Sequence, residues 1–169
     1  MSEAGKGESK KKTSDPESDG ELVFAMGEYQ ARFPTDRMFA KNHMWAKPVG
    51  ENVLRFGFSA YAVRLLQDVY FLDWIVDAET AVTERQHIGA IESKKAESDL
   101  YAPLAGRISK FNGDLLRDPS AINVDKYDGG WLFEMEAEPA GLMTAPQYLQ
   151  HLVKVWEVAQ RTIKGQMNE

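Results

Sequence analysis

The sequence predicts a mainly β fold, a small antiparallel sandwich or barrel, for the larger part of its 169 residues. Two observations predict it. From about Met44, short runs rich in β-branched and aromatic residues recur at close spacing, and turn formers separate them. Only two helical patterns interrupt the series, which argues against alternating strand and helix around a parallel sheet. A chain of this length can bury one sizeable core.

Residues 1–20 hold four lysines and five carboxylates, with only Met1 and Ala4 apolar. Such a segment buries too little surface to offset its ordering entropy, so a disordered tail is expected. Lys10, Lys11 and Lys12 read as part of a solvated tail rather than a nucleic-acid or membrane patch, because carboxylates surround them. Residues 21–40 read as an N-terminal arm: Leu22–Met26 is apolar enough to pack, and Phe33-Pro34 breaks any helix begun there.

Strands are expected at Met44–Lys47, Val53–Phe58, Val69–Leu72, Ala81–Val82, Ile88–Ser93, Asp99–Tyr101, Gly106–Phe111 and Trp131–Glu136. Pro48–Asn52 supplies a hairpin turn between the first two. Ser59–Gln67 reads as a helix with Ser59 as N-cap and Ala62, Leu65 and Leu66 on one face. A longer helix is expected over 144–164. Thr144 caps it, Pro146 lies in its first turn, and Lys164-Gly165 ends it. Its stripe of Tyr148, Leu149, Leu152, Val155, Trp156, Ala159 and Ile163 predicts a helix laid on a sheet face, with a partner-binding or dimerising helix as the alternative. The whole of 41–169 is expected as one domain.

Composition narrows the function classes. Twenty basic against 26 acidic side chains leave a net charge of −6, which argues against general nucleic-acid binding. Without cysteine there is no disulfide scaffold, thiolate metal site or cysteine nucleophile. No apolar run reaches the roughly 18 residues of a membrane span. No secretory signal is evident and the N-terminus is too acidic for a mitochondrial presequence, so a cytoplasmic protein is expected. His43, His87 and His151 share no metal-ligand spacing and default to structural or surface roles. No nucleophile elbow, Walker loop or dinucleotide fingerprint occurs, and Gly129-Gly130 reads as a turn before a strand. By elimination the chain shows no catalytic apparatus and no metal site.

One segment stands apart. The strand-like runs Ile88–Ser93 and Asp99–Tyr101 enter and leave a polar segment; Glu92 and Ser93 before it and Glu97, Ser98 and Asp99 after it are what a hairpin tip contains, and Lys94 and Lys95 project from that tip. A lysine at such an apex stands away from the protein on a stiff base, where a modifying enzyme can engulf the turn without unfolding the domain. The plain alternative is a pair of ordinary surface lysines in a charged loop.

The surroundings favour the first reading. Glu92-Ser93-Lys94-Lys95-Ala96 resembles the lipoyl-attachment hairpin of the glycine cleavage system H protein family, with Lys95 as the modified lysine and Lys94 at the family's valine. Ser98–Pro103 and Gly106 continue the match. Downstream, Asp118-Pro119, Ile122-Asn123 and Tyr127–Phe133 are similar to family segments; upstream, Gly57–Ala62, Asp68-Val69 and His43-Met44-Trp45 are too. The resemblance spans about residues 41–152. It departs at Met44, Ala60, Val63 and Gln67, where the family has Glu, Asp or Glu, Gln and Gly, at sites expected near the arm and its partners.

What the resemblance implies is a barrel-sandwich hybrid, the fold of lipoyl and biotinyl domains, carrying lipoate as an amide of Lys95. The implied protein is a carrier subunit, not an enzyme. It would shuttle the aminomethyl intermediate from a pyridoxal-phosphate glycine decarboxylase to the aminomethyltransferase, and its dithiol to dihydrolipoyl dehydrogenase. A lipoate-attaching enzyme would be a further partner; nucleic acid and membrane would not. The departures leave room for two other readings: a related lipoate-binding protein of another pathway such as sulfur oxidation, or an unmodified interaction module.

Overall fold

The computed structural model describes residues 20–167. The tail expected over 1–20 therefore lies, apart from Gly20, outside the described residues. In chain order the elements are β1 (Glu21–Met26), β2 (Tyr29–Pro34), β3 (Met38–Phe39), β4 (Met44–Gly50), β5 (Val53–Phe58), α1 (Ala60–Leu66), β6 (Val69–Trp74), β7 (Thr80–Val82), β8 (His87–Ser93) and β9 (Glu97–Tyr101). There follow β10 (Gly106–Phe111), α2 (Asp114–Arg117), α3 (Ala121–Val124), β11 (Phe133–Glu136) and α4 (Ala145–Met167). Each of the eight expected strands is present.

Residues 37–143 form one compact unit. Within it, six strands in the order β3-β4-β5-β11-β10-β7 make one antiparallel sheet, and β9-β8-β6 make a second. Both line a single core. Met44, Leu54, Phe56, Ile108, Phe133 and Met135 come from the larger sheet, and Val69, Leu72, Ile88, Ile91 and Leu100 from the smaller. Two short sheets closing on one core is the expected barrel-sandwich hybrid, and period-2 alternation along each strand is what fills it.

The turn between β4 and β5 is tighter than the expected five residues. Pairing runs to Gly50↔Val53, and Asn52 takes the left-handed conformation (φ 59°) that asparagine tolerates better than most residues. Opposite the start of β4, Gly57 is required by close approach: a Cβ there would stand 2.6 Å from the ring of Trp45, which is fully buried.

Helix α1 begins where expected, with Ser59 Oγ accepting from the Ala62 N–H. Its buried face differs. Ala60, Tyr61, Val63 and Leu66 point inward while Leu65 is 45% exposed. The apolar i,i+3 pairs of this helix are Ala60/Val63, Ala62/Leu65 and Val63/Leu66, and packing against the core buries the first and third.

The second unit contains the β1–β2 hairpin and α4. This boundary differs from the one drawn at residue 41. Residues 21–34, read only as an arm, form a regular two-stranded ribbon from Glu21↔Pro34 to Met26↔Tyr29. Leu22, Phe24, Met26, Ala31 and Phe33 are buried, and the ring of Phe33 meets Tyr148 of α4 edge-on at 5.4 Å. Of the helix stripe, Tyr148 and Leu152 are buried, and Tyr148 packs on this hairpin; the Ile163 side chain lies outside the described residues. A reciprocal cap starts α4: Thr144 Oγ1 accepts from the Gln147 N–H, and Gln147 Oε1 accepts from the Thr144 N–H. Its end differs from expectation, for the helix runs through Gly165 to Met167. One glycine in a helix costs about 1 kcal/mol relative to alanine, which is too little to terminate it.

Candidate functional site

The hairpin of β8 and β9 carries the two lysines at its tip, as the sequence predicts. Pairing closes at Glu92↔Glu97, leaving Ser93–Ala96 as a four-residue turn. Ser93 locks the turn from both directions. Its N–H donates to the Ala96 carbonyl at 2.8 Å, its Oγ donates to the same carbonyl at 3.1 Å, and the Ala96 N–H donates back to that Oγ at 3.2 Å. Ser93 is itself buried, whereas Lys94 and Lys95 are exposed. Among the described residues neither lysine side chain makes an ion pair or hydrogen bond.

The tip is also held from outside the hairpin. The Lys94 N–H donates to the Asp68 carbonyl at 2.8 Å and the Lys95 N–H to the Leu66 carbonyl at 3.3 Å. These acceptors bracket Gln67, which closes α1 by donating its N–H to the Val63 carbonyl and then turns sharply with φ 62° and ψ −146°. That conformation lies beside a region occupied almost only by glycine. The turn directs the Leu66 and Asp68 carbonyls toward successive amides of the lysine turn.

A third layer fixes the bracket. Asn123, in α3, donates from Nδ2 to the Gln67 carbonyl at 2.6 Å and accepts the Val69 N–H on Oδ1 at 2.9 Å. Farther back, the Tyr127 hydroxyl accepts the Ala60 N–H at 2.9 Å, and Trp45 Nε1 donates to the Lys126 carbonyl at 2.9 Å. Arg37 lies over the rings of both Trp45 and Tyr127. A chain of polar contacts thus runs from the 123–127 segment through the end of α1 to the lysine turn.

Charge at the tip is predominantly negative. Glu92 and Glu97 face each other across the strands, and Asp99 follows on β9. Like charges directly opposite are mildly destabilising, so this pair adds nothing to the fold. It does give a negative field beside the lysines. A cleft of about 710 Å³ opens at the far end of β9, lined by Lys41, Asn42, Arg85, Tyr101 and Pro103 among others; Lys95 does not line it.

The histidines are separate. His43 takes a left-handed conformation (φ 73°) and its ring lies 4.7 Å from that of Tyr61. His87 Nε2 is 2.9 Å from the Gly89 carbonyl and 3.4 Å from Asp99. His151 neighbours Tyr148 on α4. Burial pushes the Tyr61 hydroxyl above its ordinary value. Gly129-Gly130 does form a turn, with the Gly130 N–H on the Asp125 carbonyl, and β11 begins two residues later than expected.

Sequence reasoning placed Lys94 and Lys95 at a hairpin tip but missed the parts that hold it. Asn123 and Gln67 entered only as a matched and a mismatched position, and nothing local ties residue 123 to residues 67 and 69. Of the departures from the family pattern, Gln67 lies beside the lysine turn as expected, between the carbonyls that accept from its amides. Met44, Ala60 and Val63 are buried, at 1%, 3% and 7% exposure, so these substitutions alter packing rather than an outward face.

Comparison with known proteins agrees with this geometry. The family model described as glycine cleavage H-protein matches residues 37–160. A glycine cleavage system H protein of Mycolicibacterium gilvum is 37% identical over 115 residues, covering 68% of this chain and 87% of the relative. One from Alteromonas mediterranea is 38% identical over 122 residues, covering 70% and 94%. The crystal structure of a glycine cleavage system H protein from Mycobacterium marinum superposes with a TM-score of 0.63 at 31% identity, covering 70% of this chain and 98% of that one. The lysine-bearing hairpin and its polar supports thus lie on a chain that belongs to the glycine cleavage H-protein family.

Proposed function

We propose that this chain is the lipoyl-bearing carrier protein of the glycine cleavage system, with lipoate joined as an amide to Lys95. The observation that carries the reading is the tip itself: an exposed lysine with no side-chain partner among the described residues, on a turn whose backbone is bonded at Ser93, Lys94, Lys95 and Ala96. The fit to lipoate is direct, because an amide needs one accessible amine and a modifying enzyme needs a turn that holds its shape. When attached, lipoate supplies a cyclic disulfide that can open to hold a one-carbon amine unit and, as a dithiol, can be reoxidised.

The chain's own residues display and orient the arm. The bonds from Lys94 and Lys95 to Asp68 and Leu66 fix where the arm starts, so its reach is centred on one direction. A tethered group visits each partner at a high effective concentration, which is the advantage of a carrier over a free cofactor. Acylation removes the Lys95 charge and leaves Lys94 against Glu92, Glu97 and Asp99. Basic docking patches on the glycine decarboxylase, the aminomethyltransferase and dihydrolipoyl dehydrogenase would meet this surface in short, steered encounters. The protein acts in the cytoplasm as a carrier subunit, without chemistry of its own. The core-buried departures at Met44, Ala60 and Val63 lend no support to a different pathway or to an unmodified module.

The test is reconstitution. Incubated with a lipoate-attaching enzyme, the protein is expected to gain the mass of one lipoyl amide at Lys95 and to restore glycine-dependent carbon dioxide exchange with the cognate partner enzymes. Lys95→Arg keeps the charge and abolishes both. Modification without exchange would overturn the glycine cleavage assignment, and activity surviving in Lys95→Arg would overturn the carrier reading.

A further inference from the structure

We infer that Asn123 is a positioning residue for acylation of Lys95, an inference that rests on the carrier reading above. Its side-chain amide spans the bend of the chain at residues 67–69. Nδ2 holds the Gln67 carbonyl at 2.6 Å and Oδ1 holds the Val69 N–H at 2.9 Å. On either side of Gln67 lie the two groups that matter, for Leu66 and Asp68 present the carbonyls that accept from Lys95 and Lys94. Asn123 therefore touches neither lysine, yet it holds the bend whose carbonyls accept from both lysine amides.

The need for such a clamp follows from Gln67. A non-glycine residue at φ 62° and ψ −146° is strained and relaxes unless its surroundings hold it. Relaxation would rotate the 66–67 plane, which carries the Leu66 carbonyl, while Asn123 holds the next two planes, 67–68 through the Gln67 carbonyl and 68–69, which carries the Asp68 carbonyl, through the Val69 N–H. Asparagine suits the task because a single flat amide offers one donor and one acceptor. The same amide thus opposes the strain on both sides of the bend.

The step this serves is attack of the neutral Lys95 amine on the carbonyl of an activated lipoyl acyl-adenylate. The C–N bond forms, the bond from that carbonyl to the phosphate oxygen of AMP breaks, and the amine proton passes to solvent. The attaching enzyme must seize the turn in one shape. If that shape is populated only part of the time, apparent affinity falls by the same fraction, and the loss appears in KM rather than kcat.

The experiment measures acylation kinetics at Lys95 by intact mass, using the full chain, a lipoate-attaching enzyme, lipoate and ATP. It compares wild type with Asn123→Ala, Asn123→Asp and Ile108→Ala, the last a core truncation in β10 that lowers stability without touching the clamp. Amide exchange at Lys94 and Lys95 is followed by NMR against the amides of β5. Asn123→Ala is expected to raise KM about tenfold with kcat little changed, and to speed exchange at the two lysine amides about tenfold relative to β5. Asn123→Asp keeps the acceptor but loses the donor, and is expected to fall between the two. Ile108→Ala is expected to leave KM within about twofold of wild type, because a lower folded fraction does not alter recognition of the folded form. Wild-type KM and tip exchange in Asn123→Asp, or a change no larger than that of Ile108→Ala, would overturn the inference, and Asn123→Asp decides it if the alanine variant does not fold. Failure of the wild-type chain to accept lipoate would instead overturn the Lys95 reading, and the exchange measurement would still decide whether Asn123 holds the turn.

Discussion

Replacing Gln67 by glycine should make the protein more stable, against the usual effect of adding a glycine. Holding a non-glycine residue near the glycine-only region at φ 62° and ψ −146° costs on the order of 1–3 kcal/mol, all of it released in Gln67→Gly. Against this, glycine loses more backbone freedom on folding, at about 0.5–1 kcal/mol. The Gln67 side chain also donates from Nε2 to the Arg64 carbonyl at 3.2 Å, but this contact is exposed. Its loss is worth no more than about 0.5 kcal/mol, the low end for a protein hydrogen bond. The balance is a gain of about 1 kcal/mol, which raises the melting temperature by roughly 4 °C in a domain of this size. Differential scanning calorimetry of wild type, Gln67→Gly and Gln67→Ala reads it. The alanine variant removes the side-chain contact while keeping the strained backbone, so it should melt at or slightly below wild type. A glycine variant that melts no higher than the alanine variant would show that residue 67 carries no appreciable strain, and the reasoning about the clamp would lose its basis.

Three further expectations concern other parts of the molecule. Gly57→Ala should cost about 2 kcal/mol or more in urea unfolding, because its Cβ would stand 2.6 Å from a Trp45 ring held by Lys126 and Arg37. Stability should decline as the pH rises above 10.0, the ordinary tyrosine value: there the unfolded chain ionises Tyr61 while burial keeps the folded hydroxyl protonated; Tyr61→Phe should flatten that alkaline limb of a thermal-melt pH series. Turnover of the reconstituted system should slow as salt rises from about 0.1 M to 1 M, where the screening length shrinks from about 10 Å to 3 Å, and a flat response would count against electrostatic docking at Glu92, Glu97 and Asp99.

What could be read from the sequence divides along the range of the interactions. Strands such as Val53–Phe58 and Gly106–Phe111 declare themselves because alternation and bounding turns are local signals, and the eight expected segments are all found. The β1–β2 hairpin was less legible. Leu22, Phe24 and Met26 do alternate, but burial of Ala31 and Phe33 depends on α4 arriving more than a hundred residues later. The one-turn helices α2 and α3 are too short to carry a period. At the site, the lysine tip was legible as turn chemistry between strands, whereas its supports join residues 54 and 56 positions apart. Contacts of that range leave no trace in local pattern.

The same division explains why a lysine can stand at residue 94. Everything that shapes the turn is main chain or Ser93: the Lys94 and Lys95 amides, the Ala96 amide and carbonyl, and the serine hydroxyl. No side chain at 94 takes part, so a lysine there sets charge at the tip without setting its geometry. On the proposed function residue 95 is constrained differently, since its amide serves the turn and its amine is the group to be acylated. Shape is therefore held by the main chain and Ser93, and the proposed chemistry by one side chain. A tip built this way can change its outward charge while the side chain at 95 still starts from a fixed point.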